Sequence, residues 1–328
     1  MKCLACDLGG SSVKYGLVDD NALITESGKV PAPLDSKEQF VETIGGLYDC
    51  FKDRIDGIAI SIPGYIDPQT GYLFGSGVYK PLYYHYIPQI LKGRCPVPVY
   101  VENDGKCGAL SEAWQGSLFD CSDGAVIILG SGIAGGIIKD HKIHSGKGFT
   151  AGEFSYALTV QGDVSMLGCA FMNSAMLGMT YKMCKLKNLD YSVQDSSAAF
   201  PMFDEALPGR YPQLEGTPKK IKCDGKQLFK WLAEWDSDAK KVYDEFIHSL
   251  AVLVYNVQIC FAPEKIVIGG GLSTPDCVVP DVIEALNSYY AALSTSEQMR
   301  STVVRSRYLD ECNLVGAAYN YILRSESR

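Results

Sequence analysis

The apolar run MKCLACDL carries a carboxylate at Asp7 and leads into Gly9-Gly10-Ser11-Ser12-Val13-Lys14. Glycines let a backbone approach phosphate oxygens closely and turn N–H groups toward them. Ser11 adds a hydroxyl donor, and Asp7 can hold a hydrated Mg²⁺. A plain β-hairpin with a Gly turn has the same look. Asn103-Asp104 follows the strand-like PVPVYV and precedes a helix. A carboxylate at the C-terminal end of a strand, close to a helix N-terminus, is a favoured catalytic position. It is equally a common helix cap. Glu153 follows Gly152 in GKGFTAGEFSY, where an acid on a Gly-rich loop can accept two sugar hydroxyls or simply meet solvent. Gly269-Gly270-Gly271 closes the run KIVI. Three glycines there let a flat ring lie against the backbone, or form a tight turn.

A fifth stretch, GSGIAG from Gly130 to Gly135, matches the dinucleotide fingerprint G-x-G-x-x-G. That reading needs a helix next, so that its N-terminus meets the pyrophosphate. Ile137-Ile138-Lys139-Asp140-His141 reads as strand and turn instead. A nicotinamide cofactor is therefore rejected. No G-x-x-x-x-G-K-[ST] sequence occurs either.

These residues need elements to hold them. Period-two patterning predicts strands at Lys2–Leu8, Ser12–Val18 and Leu23–Val30. Ser36 is a candidate N-cap for a helix to Lys52, with Phe40, Ile44 and Leu47 on one face. Further strands are read at Gly57–Ile62 and Pro98–Val101, then a short helix from Gly105 to Trp114. The pattern restarts with a strand at Ala125–Leu129, a Gly-rich turn over Gly130–Gly136 and a strand at Ile137–Lys139. DLGGSSVKYGLVDDNALI and LGSGIAGGIIKDHKIH thus read as one strand–hairpin–strand unit used twice. Tyr191–Gly225 is rich in Pro, Ser, Asp and Gly and reads as a long excursion. A strong amphipathic helix spans Ser237–Phe261, with Val242, Phe246, Leu250, Leu253, Val254 and Val257 on one face. A strand at Lys265–Ile268, a helix at Asp276–Leu293, a strand at Thr302–Arg305 and a helix at Leu314–Leu323 complete the chain.

The bulk composition fits two cores. At 328 residues the chain is too long for one ordinary hydrophobic core, and 47% of it is hydrophobic. The net charge of −8 repels phosphate backbones and anionic lipid, so nucleic acid and membrane are not expected partners. No apolar run reaches the ~20 residues of a membrane span. The N-terminus lacks the h-region of a signal peptide, so a cytoplasmic protein is expected. The 12 cysteines are scattered, most in apolar segments such as those of Cys6, Cys107 and Cys260, and are expected to be buried and reduced. Cys3 and Cys6 lie three apart in a strand and so point to opposite faces, which disfavours a shared metal or a disulfide.

Taken in order, these pieces resemble the ROK family of sugar kinases and repressors, within the wider hexokinase–actin–Hsp70 class. Asp7 to Lys14 resembles the first phosphate motif, with Ser11 where Thr is usual. SIPGYIDPQTG from Ser61, VENDGKCGALSEAWQG from Val101, LGSGIAGG, AGEFSY and PEKIVIGGGLS from Pro263 are similar to the family's P-G loop, catalytic segment, second phosphate motif, G-E-x-G-H and adenosine motif. The resemblance implies an α/β fold of two ribonuclease-H-like (actin-like ATPase) domains around a central cleft. Their expected limits are 1–118, completed by a C-terminal helix over 305–328, and 119–304. It implies transfer of a phosphoryl group from ATP, with Mg²⁺, to a hexose. Glucose, N-acetylmannosamine or a β-glucoside would fit, and a homodimer is the usual assembly.

Asp104 would be the general base for the sugar 6-hydroxyl. Gly64, Asn103, Glu153 and Tyr156 would join it in binding the sugar. ATP would lie on Gly9, Gly10, Ser11, Ser12 and Lys14, on Gly130, Ser131 and Gly132, and on Gly269, Gly270 and Gly271, with Asp7 toward Mg²⁺ through water. Two departures stand out. Tyr156 replaces the zinc-ligand His, and Cys169 alone remains of the three Cys, so no structural zinc is expected. No acid occurs between Asp163 and Asp190, where the family's second sugar-binding Glu would stand, so that role is lost or taken by Asn173 or another group. The alternative is a non-catalytic sugar-binding or regulatory protein of the same fold. A repressor would carry an N-terminal helix-turn-helix, whereas this chain opens directly on its first strand.

Overall fold

A computed structural model describes residues 1–75, 77–194 and 216–326. Strands β1 (Lys2–Leu8), β2 (Ser12–Asp19) and β3 (Ile24–Pro31) form an antiparallel meander. β4 (Gly57–Ile62) pairs parallel with β1 and all six of its residues are buried. Between them runs α1 (Lys37–Phe51), where the Ser36 hydroxyl accepts the Gln39 N–H and satisfies one of the orphan donors of the first turn. Phe40, Ile44 and Leu47 are buried on its inner face.

A small antiparallel sheet follows, β5 (Tyr65–Asp67), β6 (Tyr72–Gly75) and β7 (His85–Tyr86), then the short α2 (Ile87–Leu91). β8 (Val99–Asn103) closes the first large sheet in the order β3-β2-β1-β4-β8 and leads straight into α3 (Asp104–Gln115).

The second large sheet repeats that plan. β9 (Gly124–Leu129), β10 (Ile133–Lys139), β11 (Lys142–Ile143), β12 (Lys265–Gly269) and β13 (Thr302–Arg305) lie in the order β11-β10-β9-β12-β13. In each sheet a three-strand meander is followed by two further strands laid beside its first strand, the duplication expected from the repeated hairpin. Among the described residues, the α-helices between β11 and β13 are α4 (Ala170–Asn173), α5 (Met176–Lys187), α6 (Gly225–Ala233), α7 (Ser237–Phe261) and α8 (Val278–Ala292). The six apolar positions read on α7 are all buried. α9 (Cys312–Glu326) ends the described chain.

By backbone contacts the chain divides into two compact units. One comprises Met1–Ile127, Gly135–Gly152 and Ser306–Arg328; the other comprises Ile128–Ala134 and Glu153–Arg305. In the first unit the β1 faces are sorted by alternation. Leu4, Cys6 and Leu8 join the core under α1, whereas Cys3 and Ala5 join Leu314, Ala317, Ala318 and Tyr321 of α9 on the other side. Cys3 and Cys6 therefore belong to different cores, as their spacing required. The segment leading into α9 is tied to α3, because the buried Glu112 carboxylate accepts from Ser306 Oγ (2.6 Å), Arg307 N (3.0 Å) and Tyr308 N (3.3 Å).

Some expectations need correction. The Gly-rich turn is shorter than read: β10 already begins at Ile133, and Gly135 and Gly136 lie inside it. A Cβ at Gly105 would sit 2.4 Å from the Gly135 backbone, and one at Gly136 would sit 2.6 Å from Ala109 Cβ. These glycines let α3 lie directly on β10, a packing use that the phosphate-loop pattern conceals. Cys260 is exposed, with Cys50 and Cys277, because it falls on the outer side of α7. Every described cysteine is a free thiol. The 191–225 excursion lies largely outside the described residues. Among the described residues no helix is long and apolar enough to cross a membrane.

Candidate functional site

In the first unit, β1 carries Asp7 to the edge of a tight turn in which Gly9 N–H donates to Ser12 O (3.0 Å). Gly10 and Ser11 are exposed on that turn, and Ser12 and Lys14 already belong to β2. Two groups hold Asp7 Oδ1: Ser61 Oγ of β4 and Asn313 Nδ2 of α9, each at 3.0 Å. Burial raises the Asp7 carboxyl, while these two bonds and the Lys14 charge pull it back. Lys14 Nζ donates to Asp310 O (3.2 Å), which directs it toward the start of α9. The turn is pinned from below by Tyr79, fully buried, whose hydroxyl donates to Gly9 O (2.9 Å). Neither Tyr79 nor Asn313 is signalled by the sequence, because each reaches the turn from a distant segment.

β8 ends the same sheet at Asn103, and the cap of α3 is Asn103, not Asp104. Asn103 Oδ1 accepts the Lys106 N–H (3.1 Å). Its amide nitrogen donates to Gly64 O and to Asp104 Oδ1, both at 3.1 Å. Asp104 is thus the first residue of the helix, released from capping. Its Oδ1 also accepts Gly105 N–H (2.8 Å). The side chain is half-buried. Burial first, and then the nearby Asp7 charge, push its carboxyl up to about 6. A carboxylate held near that value is ionised at neutral pH yet basic enough to accept a hydroxyl proton.

Lys106, one turn inside α3, is 1% exposed, and its ammonium donates to Phe149 O (2.9 Å). A fully buried lysine next to Asp104 was not read from the sequence. Its only signal is a charge inside a segment of small residues.

Glu102, also buried, accepts the Asn103 N–H (2.8 Å) and is raised by burial from 4.5 to about 7. The unfolded chain gives up this proton near 4.5 and the folded chain near 7. Folding therefore loses stability as pH rises through that window and is level above it. Glu102→Gln removes the ionisation but keeps an acceptor for Asn103. The mutant's melting temperature relative to wild type should rise between pH 5 and pH 7.5. A difference independent of pH would contradict the placement of that charge.

In the second unit, Gly130, Ser131 and Gly132 form a closed turn, with Gly130 N–H donating to Gly132 O (2.9 Å). The first amides of α5 dock on it, Met176 N to Gly130 O (3.1 Å) and Leu177 N to Ser131 O (3.0 Å). Gly269 ends β12, and Gly270 follows at φ +84°, where a Cβ would lie 2.4 Å from Leu129 O. Only glycine satisfies both the angle and the approach. Gly271 opens a short 3-10 turn whose Ser273 hydroxyl caps Gly270 O (2.8 Å). Leu272 and Met176 both come within about 4 Å of the Cβ position of Gly225, at the start of α6. This unit thus brings the Gly130–Gly132 and Gly269–Gly271 turns to one strand end, with an apolar flank that sequence reading missed. Met176 and Gly225 lie far apart in the sequence, which is why no local pattern joins them.

Glu153 precedes a one-turn 3-10 helix, Phe154–Tyr156, and its carbonyl accepts Tyr156 N–H (3.2 Å). Gly152 before it has φ +87°. The Tyr156 side chain is 55% exposed. Asn173 donates to Leu167 O (2.6 Å) and Cys169 O (2.9 Å), so its amide closes a local turn. Among the described residues no three His, Cys, Asp or Glu side chains gather as a metal cluster.

Comparison with known proteins adds a family. The ROK family model matches residues 3–172 and 196–322. The chain is 27% identical to the beta-glucoside kinase of Listeria innocua over 331 residues, covering 100% of this chain and 99% of that one. It is 27% identical to the N-acetyl-D-glucosamine kinase of Aliivibrio fischeri, covering 95% and 97%. A ROK family glucokinase from Streptomyces griseus, solved in complex with glucose and AMPPNP, superposes with a TM-score of 0.73 at 21% identity, covering 97% and 98%. At that identity the likeness is one of fold.

Proposed function

Because the chain belongs to the ROK family, we propose that it is a sugar kinase, moving the γ-phosphoryl group of ATP to a hydroxyl of a hexose. The observation that carries this is Asp104: a carboxylate at the head of α3, spared from capping by Asn103 and raised to about 6. Curated relatives named as kinases of a β-glucoside and of N-acetyl-D-glucosamine support the substrate class. Phosphoryl transfer asks the protein for alignment, charge neutralisation and a base rather than covalent chemistry.

In this reading Asp104 accepts the proton of the attacking hydroxyl, and Asn103, with Gly64, orients the sugar. The amides around Gly10, Gly132 and Gly270 receive the nucleotide. Asp7 suits a hydrated cation, since its two hydrogen bonds fall on Oδ1 and leave Oδ2 for the water shell. Mg²⁺ there would neutralise phosphate charge. Lys14, bonded to Asp310 O, acts on Asp7 through its charge.

A coupled ADP-release assay across a panel of hexoses and glucosides tests the proposal. Sugar-dependent ADP release is expected for at least one gluco-configured sugar. Affinity for the sugar without turnover would point instead to a sugar-binding protein that does no chemistry.

Glu153→Gln is expected to raise the sugar KM about tenfold or more and leave the ATP KM steady. An amide replaces a charged double acceptor, and charge-assisted bonds contribute roughly 1.5–3 kcal/mol. An unchanged sugar KM with a raised ATP KM would reassign Glu153 to the nucleotide.

A further inference from the structure

Lys106 lies in the first turn of α3, two residues after Asp104, and is almost wholly buried. An ammonium is costly to bury unless hydrogen bonds and opposite charge receive it. An apolar side chain of the same length would fill the space without that cost, so packing alone does not account for a lysine there. Its ammonium donates to Phe149 O (2.9 Å).

Phe149 belongs to a loop of unusual backbone. Gly146, Gly148 and Gly152 have φ of +64°, +65° and +87°. Phe149, among them, has φ +61° and is not a glycine. A bulky residue keeps that angle only where its surroundings enforce it. Two contacts do so here. The Lys106 ammonium takes the Phe149 carbonyl, and the Phe149 ring stacks on Phe74 of β6, with centroids 6.0 Å apart and planes at 28°. Ala151 N–H closes the base of the loop by donating to Ser145 O (3.1 Å). The loop's exit and the start of α3 share one floor. A Cβ at Gly152 would lie 2.9 Å from Gly136 Cα, and a Cβ at Gly105 would lie 2.4 Å from Gly135 N and O. Both segments therefore rest on neighbouring residues of β10, and the Lys106 bond ties them together a second time.

We propose that Lys106 is a positioning residue for sugar binding: it locks residues 145–152, the segment that leads into Glu153, onto the helix turn that carries Asp104. The inference rests on the sugar-kinase reading and deepens it, by naming a residue that acts without touching the sugar. The ammonium acts by charge as well. Burial raises the Glu102 and Asp104 carboxyls, and the Lys106 charge pulls both back. Asp7 of β1 raises Asp104 further, while Arg324 of α9 lowers Glu102 and Asp67 of β5 raises it. Without the ammonium, Asp104 should hold its proton to a higher pH.

The test is Lys106→Met, which keeps the length of the side chain and removes both donor and charge. Hydrogen exchange of the Ala151 amide should quicken about tenfold or more, as loss of a charge-assisted bond predicts. Affinity for the best sugar of the panel, by calorimetry, should fall about tenfold, and affinity for ADP with Mg²⁺ should change by less than about twofold. The acid limb of kcat/KM should move to higher pH. Phe149→Ala keeps the carbonyl and loses only a half-buried ring. It should weaken sugar about threefold to tenfold, as loss of one stacking contact predicts, and leave the acid limb in place. Unchanged exchange and sugar affinity in Lys106→Met would overturn the proposal. So would equal losses for sugar and ADP with an unmoved acid limb, the mark of a lysine that serves stability alone. Should Lys106→Met not fold, Phe149→Ala decides, and an unchanged sugar affinity there refutes the lock. Turnover is read separately. Sugar binding that depends on Lys106 without ADP release would sink the kinase reading and keep the lock, and a wild type that binds no sugar would overturn both.

Discussion

Asp104→Asn is expected to lower kcat by about 10²–10⁴ and leave sugar affinity within a few fold. Asn keeps the size of the side chain and can still accept the Gly105 N–H that now goes to Oδ1. It cannot take a proton. A sugar hydroxyl is a weak nucleophile while it holds its proton, and losing a positioned base costs about 3–5 kcal/mol of barrier. The helix should not suffer, because the cap is Asn103. Stability should hold or rise, since burial opposes the Asp104 charge. The wild-type pH profile adds an independent sign. The base works ionised, so kcat/KM should fall as pH drops through about 6, the value to which burial and Asp7 raise it. Turnover above about a tenth of wild type in the mutant would remove Asp104 from the chemistry.

Gly316→Ala is expected to destabilise the protein severely. Gly to Ala inside a helix ordinarily stabilises it by about 1 kcal/mol. Here α9 crosses α3 so closely that the new Cβ would lie 1.6 Å from Cys107 O and 2.3 Å from Cys107 C. These are backbone atoms of a buried helix and cannot rotate aside. The helices must separate, which opens the core of Leu314, Ala317, Ala318 and Tyr321 over β1. Overpacking of this kind costs typically 1–3 kcal/mol and occasionally more. α3 also carries Asp104, so turnover should fall even where the mutant remains folded. Leu323→Ala, on the exposed side of α9, serves as the control with little effect. A Gly316→Ala protein that melts with wild type would mean that α9 does not dock this way. Removal of residues 306–328 should damage the first unit for the same reason.

Much of this architecture is legible in the residues. The strand β4, the helix α7 and the strand β13 lie at the positions their patterns predict, because each has a strong period and a clear stop. The duplicated hairpin foretold two sheets of one plan. What escaped is governed by distant partners. The β5-β6-β7 sheet is built of very short strands, which carry too few alternations to reveal a period. The roles of Tyr79, Lys106 and Asn313 exist only after folding brings them to Gly9, Phe149 and Asp7. The choice between Asn103 and Asp104 as cap could not be made from type, since both residues cap well. The structure decides it by giving the Lys106 N–H to Asn103.

The most direct measurement incubates the protein with ATP, Mg²⁺ and a gluco-configured sugar, and quantifies ADP and phosphorylated sugar in one reaction. A kinase acting through Asp104 should yield the two in equal amounts, with neither formed when the sugar is omitted or when Asp104→Asn replaces wild type. ADP that accumulates without sugar, or sugar phosphate that forms as fast in Asp104→Asn, would contradict the assignment.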